Sequence, residues 1–269
     1  IDDLARRLVK TIPDNRIAVL DEPIYKIKQI AAKQPEKPKG VHGFLASISD
    51  IPQGEQQDAL ITAIGTERFN ETDTRKLYDQ LIKISPDDPD SHATYSRFLV
   101  KTGDYGGALK EANESLALKS DNHEMRFLTG RIYIKLGELD NADKAVVQAI
   151  SLNNTSATYL NGLGYVNSLR GKHERALAAY RMAIERDPTN GYAYYNTGVT
   201  QYNLGDLEQA ADGFYGAGLA YLKSGDYGQA EKALEDLQGL AAEGLKLSDE
   251  IDTLETAIKA LSKREANNV

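Results

Sequence analysis

His42, His92, His123 and His173 are the only imidazoles in a 269-residue chain that has no cysteine. A metal or acid–base site on a helix needs such groups three or four residues apart, and no two of these are so placed. His173 falls in a turn between helices, and His92 and His123 near the starts of helical segments, as surface or packing histidines do. The run Asp87-Asp88-Pro89-Asp90 has the carboxylate density of a calcium loop. It lacks the turn glycine and the distal glutamate such a loop requires. It reads instead as the end of one helical hairpin and the start of the next. Without cysteine there is no disulfide, thiolate metal site or cysteine nucleophile. No glycine follows a strand pattern, so no phosphate cradle is expected. The expectation is no catalytic residue, no cofactor and no metal: a chain that is not an enzyme.

What the sequence does repeat is small side chains. Gly103, Gly137, Gly171 and Gly205 recur every 34 residues, each five residues ahead of Ala108, Ala142, Ala176 and Ala210. Gly130, Gly164 and Gly198 share a second phase, with Ser96 in the remaining copy. Ala149, Ala183 and Ala217 share a third, with Ser115 there. A fixed period of this length is the mark of a repeat architecture. Two antiparallel helices approach closely only where their crossing points carry little side chain. The glycine at the break ends the first helix of each pair, and Asp104, Asp206 and Asp226 are placed to cap the second. Lys172 in the third copy cannot cap. Asp187-Pro188 stops the pair that spans residues 157–190, because the residue before a proline disfavours the helical conformation. Each pair has an apolar face that only stacking can bury.

The 34-residue period, the Gly/Ala phases and the Asp-Pro close resemble the tetratricopeptide repeat (TPR) family. The resemblance covers residues 89–122, 123–156, 157–190 and 191–224. It departs from the family pattern at the fourth position, where His92, Arg126, Leu160 and Tyr194 replace tryptophan. It implies an all-α fold: a right-handed α-solenoid of stacked antiparallel helix pairs, with non-repeat N-terminal helices and a C-terminal capping helix. Residues 53–88 read as a degenerate copy, with Pro86 three periods before Pro188 and helical faces at Leu60, Ile64, Leu77 and Leu81. Residues 1–52 are expected to be an N-terminal helical cap or arm. Short helices are expected near Ile1–Leu8, Asp21–Ala31 and Val41–Ile48, with a proline-bearing linker over 33–40. Beyond residue 205 the period breaks: Gly225-Asp226-Tyr227 repeats Gly103-Asp104-Tyr105 only 20 residues after Gly205. A helix over 207–223 is therefore expected to serve two pairs. Residues 225–269 supply a further helix pair and cap, the last helix starting near Ser248.

In TPR arrays the first helix of each pair lines a concave groove, which assigns the working face by resemblance. The residues so implied are Arg97, Lys101, Phe127, Arg131 and Lys135, then Asn161, Tyr165, Tyr192, Tyr195, Tyr202 and Asn203. Arg97, Lys101, Arg131 and Lys135 make a basic stripe suited to carboxylates; the second group offers tyrosine contact area and amides. The lysine–asparagine clamp by which co-chaperone TPR modules hold a C-terminal carboxylate is absent, its places taken by Ala93, Arg97, Leu128, Thr158 and Gly162. The implied function is a scaffold docking a protein segment, one with acidic residues on the basic stripe. Two alternatives stand beside it: an assembly chaperone for an aggregation-prone client, and an oligomerising structural element. From Asn161-Gly-Leu-Gly to Ala179-Tyr-Arg the chain is also similar to bacterial TPR lipoproteins of tight-adherence (Flp/Tad) pilus assembly.

A net charge of −8 and a sequence pI near 5.2 argue against general binding to nucleic acid or an anionic membrane. The chain begins at Ile1 rather than Met. The expectation is that residues preceded it, with a signal or lipid-anchor segment as the one route to a membrane. The compartment, bacterial periplasm and outer membrane or cytoplasm, stays open, as does the oligomeric state.

Overall fold

A computed structural model describes residues 40–266, with side chains described to residue 260. The helices expected near Ile1–Leu8 and Asp21–Ala31, and most of the linker, lie outside the described residues. The described residues are all-helical, without a strand. They divide after Glu138 into two compact units. The boundary falls inside the repeat copy 123–156.

The N-terminal unit holds α1 (Gly40–Ile48), α2 (Gln53–Gly65), α3 (Glu71–Ile84), α4 (Pro89–Lys101), α5 (Tyr105–Leu118) and α6 (His123–Lys135). α2 and α3 lie within residues 53–88, and they bury Leu60, Leu77, Tyr78 and Leu81. Asp88 caps α4 by accepting from the backbone N–H groups of Asp90 and Ser91. The Asp-Asp-Pro-Asp run therefore closes one pair and opens the next. At the α4–α5 crossing, Ser96 Oγ donates to the Ala108 carbonyl at 2.8 Å, so a hydroxyl fits where other copies carry glycine.

The same unit contains an unused polar atom. Ser115 is fully buried, and its Oγ has no hydrogen-bond partner among the described residues. Its phase mates are alanines. Burying a hydroxyl without a partner costs about 1–3 kcal/mol. Ser115→Ala removes that cost without leaving a cavity, and is expected to stabilise the chain by about 1 kcal/mol. A urea midpoint unchanged or lowered relative to wild type would count against an orphaned hydroxyl.

The C-terminal unit holds α7 (Leu139–Leu152), α8 (Ala157–Leu169), α9 (His173–Arg186), α10 (Gly191–Leu204), α11 (Leu207–Ser224), α12 (Tyr227–Ala242) and α13 (Ser248–Ala266). The turn between α10 and α11 shows why its glycine is needed. Gly205 has φ +82°, its N–H donates to Tyr202 O at 2.9 Å, and Asp206 N–H donates to Gln201 O at 3.0 Å. That left-handed close costs little only without a Cβ. Asp206 and Asp226 then accept from Gln209 and Gln229 N–H to cap α11 and α12, whereas Lys172 makes no side-chain cap on α9.

The crossings use the small residues as expected. A Cβ on Gly164 would lie 2.4 Å from the ring of Tyr180, which is about 1% exposed. α11 is packed on two sides by its glycines. Gly213 abuts Gly198 of α10, and a Cβ on Gly218 would lie 2.7 Å from Leu254 of α13. One helix thus serves as second member of one pair and neighbour of the next. No helix among the described residues is long and apolar enough to cross a membrane.

Candidate functional site

In the N-terminal unit the first helices of successive pairs are α4 and α6. Arg97 of α4 reaches Glu124 of α6 at 3.7 Å, and the exposed Lys101 reaches Glu67 at 3.6 Å. Arg131 and Lys135 are half-buried on α6. Burial holds the Lys135 ammonium below the usual lysine range. The four cations are thus side chains of two helices, and Arg97 and Lys101 each have a carboxylate within 4 Å. Exposed pairs of this kind are worth about 0–1 kcal/mol, so an incoming carboxylate can exchange with them.

Phe127 is not part of that surface. It is about 2% exposed, a core residue rather than a contact residue. Beside the stripe, Tyr78 and Tyr95 stack with ring centroids 4.7 Å apart, and Phe98 lies 5.0 Å from Tyr78. Burial pushes the Tyr78 hydroxyl up to about 12. Tyr95 O–H donates to Asp79 at 2.8 Å. This aromatic stack joins α3 to α4 and is packing rather than recognition.

In the C-terminal unit the corresponding helices are α8, α10 and α12. Asn196 Nδ2 donates to Asn161 Oδ1 at 3.0 Å, joining α8 to α10 through two half-buried amides. Tyr165 is half-buried, and burial raises its hydroxyl above the usual tyrosine range. Tyr192 is half-buried and meets Tyr221 edge to face at 5.3 Å, while Asn203 is exposed. Tyr195 and Tyr202 depart from the expectation, being only 3% and 7% exposed. Each spends its hydroxyl on a carboxylate at or just past α12. Tyr195 O–H donates to Asp236 at 2.6 Å, and Tyr202 O–H donates to Glu243 at 3.4 Å. Their rings are floor, and what they present is the carboxylates they hold.

Asn196, Asp236 and Glu243 are thus residues of this face that the repeat positions do not name. Asn196 could have been found as the residue next to Tyr195, one position along the helix. Asp236 and Glu243 could not, because they lie past the break in the 34-residue period. Among the described residues, no group of three or more histidines and carboxylates could hold a metal ion.

The family model described as "Tetratricopeptide repeat" matches residues 123–156 and 211–243, and the model described as "TPR repeat" matches 169–205. Over those segments the chain is built of tetratricopeptide repeats. The 211–243 match runs through the second part of α11, the Gly225 turn and α12. It reads α11 as the first helix of a TPR, while the packing of α11 on α10 makes it the second helix of another.

Among curated relatives, BBSome complex member BBS4 of Bos taurus is 27% identical over 141 residues, 52% of this chain and 27% of that protein. TPR repeat-containing protein MJ1428 of Methanocaldococcus jannaschii is 29% identical over 116 residues, 43% of this chain and 20% of that protein. The matched part spans about a quarter or less of those relatives' length. Among solved structures, a crystal structure of MamA aligns with TM-score 0.56 and 22% identity, covering 65% of this chain and 96% of that one. MamA of Desulfovibrio magneticus RS-1 aligns with TM-score 0.56 and 16% identity, covering 62% and 95%. At these identities the likeness shows a shared TPR fold.

Proposed function

We propose that the chain is a non-enzymatic scaffold that docks protein segments on the first helices of its TPR pairs. The observation that carries this reading is the Asn161–Asn196 pair on α8 and α10. Their mutual bond uses one amide oxygen and one amide hydrogen. Asn161 also carries an N–H2 donor and Asn196 a carbonyl acceptor, the two group types a peptide backbone pairs with. The supporting rings are already ordered by packing, so a docked segment pays little extra to fix them. On the N-terminal unit the docked chemistry is acidic, met by Arg97, Lys101, Arg131 and Lys135. The setting we propose is bacterial envelope assembly, supported by the resemblance over residues 161–181 alone; fractionation of the native protein tests it.

The function is tested by affinity capture from the native host, comparing wild type with variants. Arg131→Glu with Lys135→Glu is expected to abolish capture of acidic partners while leaving far-ultraviolet circular dichroism unchanged. Asn161→Ala with Asn196→Ala is expected to lower capture on the C-terminal unit at least tenfold. Capture equal to wild type in both variants removes the first-helix faces from the function.

A further inference from the structure

The C-terminal unit carries a face whose charge is opposite to that of the basic stripe. Between Asp226 and Lys259 there are nine acidic residues against three basic ones. Asp226 is spent capping α12, and Glu255 is paired with Lys259. Asp236 and Glu243 differ, because each is held by a tyrosine hydroxyl of the neighbouring first helix, Tyr195 and Tyr202. Both tyrosine rings are buried, so the hydroxyls that position the carboxylates are themselves fixed. The two carboxylates are seven residues apart along α12 and its C-cap, two helical turns, or about 10 Å. The Asn161–Asn196 amides lie on the two preceding first helices, α8 and α10.

This combination specifies a ligand. Amides that pair with a backbone need a segment whose own N–H and C=O groups are not already bonded to each other, which excludes an α-helix. Carboxylates at a spacing of about 10 Å call for two cations at that spacing. A polyproline II segment leaves its backbone groups open, and places residues i and i+3 on one side about 9 Å apart. A β-strand would put i and i+3 on opposite faces. We propose that the α8–α10–α12 face binds an extended, polyproline-II-like segment of a partner protein bearing Lys or Arg at positions i and i+3. This rests on the scaffold reading above and names the partner chemistry for its C-terminal unit.

The test uses the full chain and a fluorescein-labelled peptide, acetyl-Gly-Pro-Lys-Pro-Pro-Lys-Pro-Gly-amide, followed by fluorescence anisotropy. Saturable binding is expected, weakening as salt is raised. Asp236→Asn with Glu243→Gln removes both charges while keeping oxygens that accept from Tyr195 and Tyr202. That variant is expected to bind at least tenfold more weakly with unchanged urea stability. The same peptide with Glu at both lysine positions is expected not to bind, and moving the second lysine to i+2 is expected to cost about tenfold.

Equal binding of the lysine and glutamate peptides, or equal binding by the neutralised variant, overturns the proposal. A light-scattering dimer that the neutralised variant dissolves assigns the face to a second copy and also overturns it. If the lysine peptide fails while host capture remains sensitive to Asn161→Ala with Asn196→Ala, the basic ligand falls and the scaffold stands. If capture is insensitive as well, both fall.

Discussion

Gly213→Ala is expected to destabilise the C-terminal unit by about 3 kcal/mol, the upper range for an overpacked crossing. A Cβ there would lie 2.5 Å from both Cα and N of Gly198 and 3.1 Å from the Tyr194 carbonyl oxygen. Every one of these atoms is backbone, so no rotamer change relieves the clash and α10 must move away from α11. Helix propensity works the other way, favouring alanine over glycine by about 1 kcal/mol. The crossing wins because separating the helices also loosens Phe214, Ala210 and Ala217, all fully buried beside it. Gly228→Ala is the control. It sits in α12, and a Cβ added there would have nothing within 4 Å. Only propensity then acts, and unchanged or slightly raised stability is expected. The measurement is the urea midpoint followed by circular dichroism. Gly213→Ala unfolding at or above the wild-type midpoint would end the close-crossing account.

That crossing was legible in the sequence, since Gly198 lies on a 34-residue phase with Gly164. Its partner Gly213 was not, because the residues one and two periods before it are Ala179 and Ala145 rather than glycine. The same division runs through the docking face. Between α8 and α10 the contacting residues, Asn161 and Asn196, are 35 apart, close to the repeat period. Between α10 and α12 they are 41 apart, as Tyr195–Asp236 and Tyr202–Glu243 both show. The reason is helix length: α11 has 18 residues where α9 has 14. The chain runs one turn further before reversing, so α12 must travel further to come level with Tyr195. Position within a repeat told which side of a helix Tyr195 and Tyr202 occupy. It could not tell that neighbours cover them, because coverage depends on an offset that the period no longer sets. The resemblance therefore located the surface, and burial decided which of its residues can touch a partner.

Glu111→Ala is expected to cost about 3 kcal/mol or more, the penalty of breaking a buried polar pair from one side. His92, at the start of α4, points one ring nitrogen at Glu111 of α5 and the other at the loop. Nδ1 lies 2.7 Å from Glu111 Oε2, and Nε2 lies 2.9 Å from the Pro86 carbonyl. The two side chains are only 6% and 8% exposed, so water cannot replace a lost partner without entering the core. Lys110 also approaches Glu111, at 3.4 Å, but its own side chain is 73% exposed and contributes little. The imidazole thus pins α5 and the α3–α4 loop to α4 through one ring. A double-mutant cycle separates this pair from mere packing. His92→Ala alone is expected to cost about as much as Glu111→Ala, since each strands the other partner. The double variant is expected to cost little more than either single, because the second substitution removes a group already stranded. Strict addition of the two single losses would show that His92 and Glu111 stabilise the unit independently, and that the 2.7 Å contact carries no coupling.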